Sequence, residues 1–251
     1  METGSQMRVE IAGIPFAVRC RFMNPEAFFK DYRTDREPLF MIEPTDADLY
    51  ETQAAFDWKM KREGKPPKRY ADAVLEEYSI LPLLSKEMVF YNVLSLHGSA
   101  LCMDGEAFIF TARSGTGKST HARYWRETFG DRVWMINDDQ PMLHVEDGRV
   151  TVYGTPWDGK HHLSRNASAP LKAIAWLCQD TDNQIRLMER EEAFPVLLDG
   201  AFGIHNPVVM SRVTALEAQL LNTVPFYELH CNLSKEAALI AWEGMRSNLR
   251  N

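Results

Sequence analysis

The chain has 251 residues, 45% of them apolar, which is enough to build one large folded domain or two small ones. Its 28 Lys and Arg against 35 Asp and Glu leave a formal charge of −7, which argues against a general nucleic-acid binder. Four widely spaced cysteines without a C-x-x-C pair fit reduced cytoplasmic thiols and argue against a disulfide framework or a zinc site, and no apolar run approaches the ~18 residues of a membrane span.

No signal-peptide pattern opens the chain; Met7 is a plausible start, with Met1 to Gln6 reading as an added tag. Arg8 to Phe22 reads as two short strands around Gly13-Ile14-Pro15. A short helix over Pro25 to Tyr32 follows, capped by Asn24, and then a strand from Leu39 to Ile42. Residues 46–58 fit neither period. Lys59 to Arg69 is a basic stretch broken by Pro66-Pro67, read as a solvated loop or helix end rather than a phosphate dock. Tyr70 to about Asn92 is predicted helical, bent at Pro82. These first 90 residues form an appended α+β layer, with residues 91–251 as the second domain.

Leu96 to Cys102 reads as a strand, Met103-Asp104-Gly105 as a turn, and Ala107 to Thr111 as the returning buried strand. If Cys102 pairs near Glu106 or Ala107, His97 falls opposite Thr111 or Ala112. Ala112-Arg113-Ser114-Gly115-Thr116-Gly117-Lys118-Ser119-Thr120 then opens a helix that runs to about Phe129. Strand, glycine loop and helix are the context of a phosphate-binding loop (Walker A). Gly115 and Gly117 permit backbone angles and close approaches that side chains forbid. Ser114 to Thr120 offer backbone N–H groups to a polyphosphate at the positive end of a helix. Lys118 brings a compact charge to the β- and γ-phosphates, and Ser119 or Thr120 a hydroxyl to Mg²⁺. Ala112 stands where the pattern has its first Gly.

The strand Val133 to Ile136 ends in Asn137-Asp138-Asp139, a carboxylate pair suited to Mg²⁺ and to placing an attacking group. Met142 to Val145 and Arg149 to Tyr153 form a hairpin. The loop Gly154 to Lys160 follows, in which Trp157 either closes over substrate or fills a gap, and Lys160 and Arg165 are candidates for neutralising phosphate charge. Adjacent His161 and His162 are poor metal ligands because neighbours on a strand face opposite ways. Leu171 to Cys178 and Gln184 to Met188 read as strands. Glu191 to Phe202 and Pro207 to Thr223 read as helices, the second capped by Asn206. Phe226 to His230 is a strand, and Ser234 begins a last helix.

His97-Gly98, the loop from Arg113 to Ser119 and Asp138-Asp139, in that order, resemble the HPr kinase/phosphorylase group and the nucleotide core of phosphoenolpyruvate carboxykinases. The resemblance covers about residues 91–160. It implies a mixed-sheet α/β phosphate-loop core, and a kinase that moves the γ-phosphoryl of Mg-ATP to a hydroxyl, with serine favoured. Asp138 and Asp139 would then hold metal and handle the acceptor's proton, and His97 would orient the carboxylate or touch the phosphate. The Arg-Gly-rich signature that HPr kinases carry downstream is absent, which leaves HPr as acceptor and the reverse phosphorylase activity unsupported. Three readings stay open: a hydroxyl kinase acting on a protein, peptide or small molecule; a carboxykinase; and a nucleotide-gated ATPase or scaffold. HPr kinases assemble, so a homo-oligomer is compatible with the resemblance.

Overall fold

In a computed structural model the described residues are 5–113, 115–198 and 206–247. They divide into two compact units, Met1–Met88 and Val89–Asn251. No described helix is long and apolar enough to cross a membrane.

In the first unit, β1 (Ser5–Ile11) and β2 (Ile14–Cys20) form an antiparallel hairpin. Ala12 and Gly13 turn it with φ of 54° and 78°, the mirror-image turn that suits right-twisted strands. Ser5 pairs with Cys20, so residues read as a tag belong to the strand. The short helix α1 (Pro25–Phe28) is capped by Asn24 as expected, and a 3-10 turn covers Lys30–Tyr32. β3 is only Met41–Ile42, lying parallel to β2. The segment that fitted neither period is helix α2 (Asp46–Arg62), whose last turn carries Lys59, Lys61 and Arg62, favourable at the negative end of the helix dipole. Helix α3 (Asp72–Met88) keeps Pro82 inside it and buries Glu76 fully. The Glu76 carboxylate accepts the backbone N–H groups of Arg21, Phe22 and Met23, each at 2.8 Å, so its burial is satisfied.

The second unit is a mixed α/β layer structure. Its strands are β4 (Val93–Ser95), β5 (Gly98–Met103), β6 (Glu106–Thr111), β7 (Val133–Asn137), β8 (Met142–Glu146), β9 (Arg149–Tyr153), β10 (Ser168–Gln179), β11 (Gln184–Leu187) and β12 (Phe226–Cys231). They run β4-β8-β9-β10-β6-β5-β7, with β12 also paired to β10 and β11 to β12. β6, β10 and β12 are mutually parallel; the β5–β6, β5–β7 and β11–β12 pairs are antiparallel, so the sheet is mixed as expected.

Period-two alternation splits the core. Ala107 and Ile109 of β6 face one side, where α6 (Pro207–Thr223) and α5 (Arg190–Leu198) pack. Phe108 and Phe110 face the other, against α4 (Lys118–Phe129) and α7 (Lys235–Arg246). Trp125 of α4 is fully buried between Phe108, Phe110, Phe129 and Trp242, with ring centroids 5.1–6.2 Å apart. That packing fixes the start of α4 against the end of β6. The helix expected from Glu191 is described to Leu198, and its continuation to Phe202 lies outside the described residues.

Candidate nucleotide and phosphoryl-transfer site

The β5–β6 hairpin has the register the sequence suggested. Cys102 pairs with Ala107 and Gly98 with Thr111, so His97, just before β5 rather than in it, falls opposite Ala112. The Thr111 hydroxyl donates to the His97 carbonyl at 2.8 Å and ties the two ends together.

The loop then turns through Gly115 and Gly117, with φ of 86° and 113°. A Cβ at Gly115 would meet nothing within 4 Å, so glycine is needed there for its backbone angle, not for space. Ala112 lies outside the left-handed region and its side chain is buried in the α4 core, which explains why a methyl is accepted in place of the usual first glycine. Gly117 caps α4 without a side chain, so the N–H groups of the first turn are not taken by a side-chain cap. Lys118 folds back across the loop and donates to the Ala112 carbonyl at 3.2 Å. Burial pulls its pKa down, while Asp139 and Asp138 pull it up. Ser114 lies outside the described residues.

A β-bulge aims the carboxylates. Leu101 pairs with Met135 but Ala100 with Asn137, so Ile136 is an extra residue on β7. The fully buried Asn137 then organises the turn. Its Nδ2 donates to the carbonyl and hydroxyl of Thr155 and to the Trp157 carbonyl, at 3.0–3.2 Å. Its Oδ1 accepts the N–H groups of Asp139 and Gln140 at 2.9 and 2.7 Å.

Asp138 is thereby placed across from Ser99, whose hydroxyl donates to its Oδ1 at 2.7 Å, and it lies near the Ser119 hydroxyl in the first turn of α4. Its pKa is raised, chiefly by burial; the two serine hydroxyls oppose the rise, and Asp158 and Asp139 add to it. Asp139 is more exposed and sits 3.2 Å from His97 Nδ1, which is also 3.3 Å from the Gln140 amide. Lys118, Ser119, Asp138, Asp139 and His97 therefore converge in space.

No family model and no curated protein matches the chain. Among solved structures it is similar to the HPr(Ser) kinase/phosphatase from Coxiella burnetii, at 13% identity over 62% of this chain and 90% of that one, with a TM-score of 0.36. That is a distant likeness, too slight to carry an argument about activity.

The structure also gathers residues the sequence did not single out. Asp158 is nearly enclosed; it accepts the N–H groups of Gly159 and Ser164 at 2.8 and 3.1 Å and the Ser164 hydroxyl. Ser164 Oγ in turn accepts the Asp138 N–H at 3.2 Å. A Cβ at Gly159 would lie 2.8 Å from Asp138 Oδ2, so only glycine fits the approach. The nearest available signal was the Trp157-Asp158-Gly159 run in a loop already marked for Trp157 and Lys160.

Trp157 is buried, and its carbonyl is held by Asn137. Lys160 is exposed and makes no ion pair or hydrogen bond among the described residues. Arg165 donates its backbone N–H to Ile136, and its guanidinium lies 5.5 Å from the Trp134 ring centre, on β7 before the carboxylate pair. His161 and His162 lie in a turn, not on a strand.

Proposed function

We propose that this chain is an ATP-dependent phosphotransferase acting on a hydroxyl. The supporting observation is that the carboxylate turn stands close to the start of α4, where Asp138 and Asp139 act electrostatically on Lys118 and the Ser119 hydroxyl acts on Asp138. Hard oxygen donors from Asp138, Asp139 and Ser119 suit Mg²⁺, which, when bound with ATP, supplies charge neutralisation on the phosphates.

The loop 114–120 binds the phosphates through backbone N–H groups, and Lys118 offsets charge on the γ-phosphoryl as it moves. The acceptor oxygen attacks the γ-phosphorus, the bond to the β-phosphate oxygen breaks, and ADP leaves. Asp139, steadied by His97, orients the acceptor hydroxyl and takes its proton. The step is governed mainly by positioning and charge rather than by base strength. The order of motifs shared with HPr kinases favours a serine as acceptor.

The test is incubation with ATP labelled on the γ-phosphate, alongside Lys118→Ala and Asp139→Asn. Transfer of label to a peptide or metabolite hydroxyl is expected, falling at least about 100-fold in each variant with circular dichroism unchanged. Release of phosphate alone identifies an ATPase, and binding without turnover identifies a nucleotide-gated scaffold. Full activity in either variant overturns the assignment.

A further inference from the structure

A second cluster of reactive side chains lies on the opposite sheet face from α4. β10 and β12 run parallel with Cys178 beside His230, and β11 pairs Gln184 with His230 and Arg186 with Glu228. Alternation sends Leu177, Leu229 and Cys231 into the α4–α7 core, so Cys178, Glu228 and His230 share the other face.

Their ligand atoms, a thiol sulfur, a carboxylate oxygen and an imidazole nitrogen, all lie within 4.8 Å of one another. Cys178 Sγ is 3.8 Å from Glu228 Oε1, and His230 Nε2 is 3.6 Å from Glu228 Oε2. Tetrahedral ligands at zinc bond lengths stand about 3.3–3.5 Å apart, so small side-chain movements close the set. All three are half-buried on strands, open enough for an ion to enter and for water to complete the shell.

The surroundings point to a cation. His230 Nδ1 lies 2.9 Å from Asp180 Oδ2, and Asp180 is itself held by the Thr181 N–H at 2.7 Å. The carboxylate at Nδ1 orients the ring and turns Nε2 toward the Glu228 carboxylate. Sulfur, nitrogen and oxygen donors thus meet within 4.8 Å of one another, close enough for one ion to engage all three. Arg186 donates to Glu228 Oε2 at 2.7 Å and pairs with Glu192 at 2.8 Å, so its charge is shared and Oε1 stays turned to Cys178.

We infer that Cys178, Glu228 and His230 form a binding site for a zinc-class divalent ion, with Asp180 orienting the histidine. Binding replaces the Cys178 thiol proton with the metal–sulfur bond and releases that proton to solvent. A mixed sulfur, nitrogen and oxygen set selects zinc or its cobalt substitute over Mg²⁺, which takes oxygen ligands.

The test uses the full chain, stripped with chelator and titrated with Co²⁺. One equivalent is expected to raise a thiolate-to-cobalt charge-transfer band that Zn²⁺ abolishes. Cys178→Ser removes the band, and Asp180→Asn, which keeps all three ligands, weakens Zn²⁺ binding about 10–100-fold. Lys118→Ala leaves the titration unchanged, which separates this site from the phosphate loop. Absence of the band in the unaltered chain overturns the proposal without reliance on any variant, as does a band that persists in Cys178→Ser.

Discussion

Asp138 and Lys118 are each held where burial disfavours their charge: the carboxyl is pushed up and the ammonium down. A phosphate loop with two reluctant charges gains from a ligand that brings both counter-charges, the phosphates for Lys118 and a cation for Asp138. Burying the Asp138 carboxyl therefore carries a stability cost when it ionises, which substitution removes. For Asp138 the folded pKa lies above its unfolded value of ~3.9, so its share of stability is full below that pH and is lost as pH rises through the folded pKa. Asp138→Asn keeps an oxygen for the Ser99 hydroxyl and deletes the buried charge. It is expected to stabilise the chain by on the order of 1 kcal/mol at pH 7 and by nothing at pH 3.5, in urea unfolding followed by fluorescence. Labelled transfer should fall at least about 100-fold in the same variant. A loss of stability at pH 7 would mean that the ionised carboxylate is structural.

The element that positions the carboxylates is the bulged end of β7 together with the loop 154–165 laced to it. Gly159 is the closest point of that lacing, and its φ lies outside the left-handed region, so alanine is allowed by backbone angle but not by space. In Gly159→Ala the new methyl group must displace the Asp138 carboxylate or the 159 backbone. Turnover is expected to drop about tenfold or more while the melting temperature shifts by only a few degrees; equal losses in both would make the loop a general brace. These elements also show what the sequence disclosed. The β5–β6 register was readable because strand alternation and the Asp104-Gly105 turn, with φ of 53° and 88°, both specify it. α2 was not, because it buries only Leu49 and Gln53 and so leaves no apolar stripe; its one clear signal was the Thr45–Asp48 capping box. Ser99, Asn137, Asp158 and Ser164 escaped because short polar residues in a strand or coil carry no period, and only the bulge at Ile136 brings them together. The Cys178–Glu228–His230 cluster is hidden for a related reason. Cysteine spacing argued against zinc, yet here the thiol and the carboxylate are 50 residues apart and meet through strand pairing.

At the scale of the molecule, the residues proposed for catalysis all fall in the unit that begins at Val89, and two further buried groups there contribute opposite responses to pH. His121 lies beneath the phosphate loop in α4; it accepts a hydrogen bond from Trp125 Nε1 at 3.1 Å, and burial pushes its pKa down to about 3. Glu217 of α6 lies in the opposite layer. Burial pushes its pKa up to about 8, and its Oε2 has no hydrogen-bond partner among the described residues. The signs are opposite. His121 contributes stability that is present above its unfolded pKa of ~6.5 and is lost as pH falls toward 3; Glu217 contributes stability that is full below ~4.3 and is lost as pH rises toward 8. Each slope is about 1.4 kcal/mol per pH unit at most. Between about pH 4.3 and 6.5 the two slopes cancel, so these groups give a plateau, with a decline on the acid side from His121 and on the alkaline side from Glu217. Glu217→Gln removes only the second slope. The share of unfolding free energy that His121 and Glu217 govern should then rise through pH 6.5 and stay level to pH 8, where the variant exceeds the unaltered chain by roughly 2–4 kcal/mol. Urea titrations across pH 4 to 9 measure both curves. An alkaline decline unchanged in Glu217→Gln would show that the carboxylate ionises without cost and that α6 opens to water there.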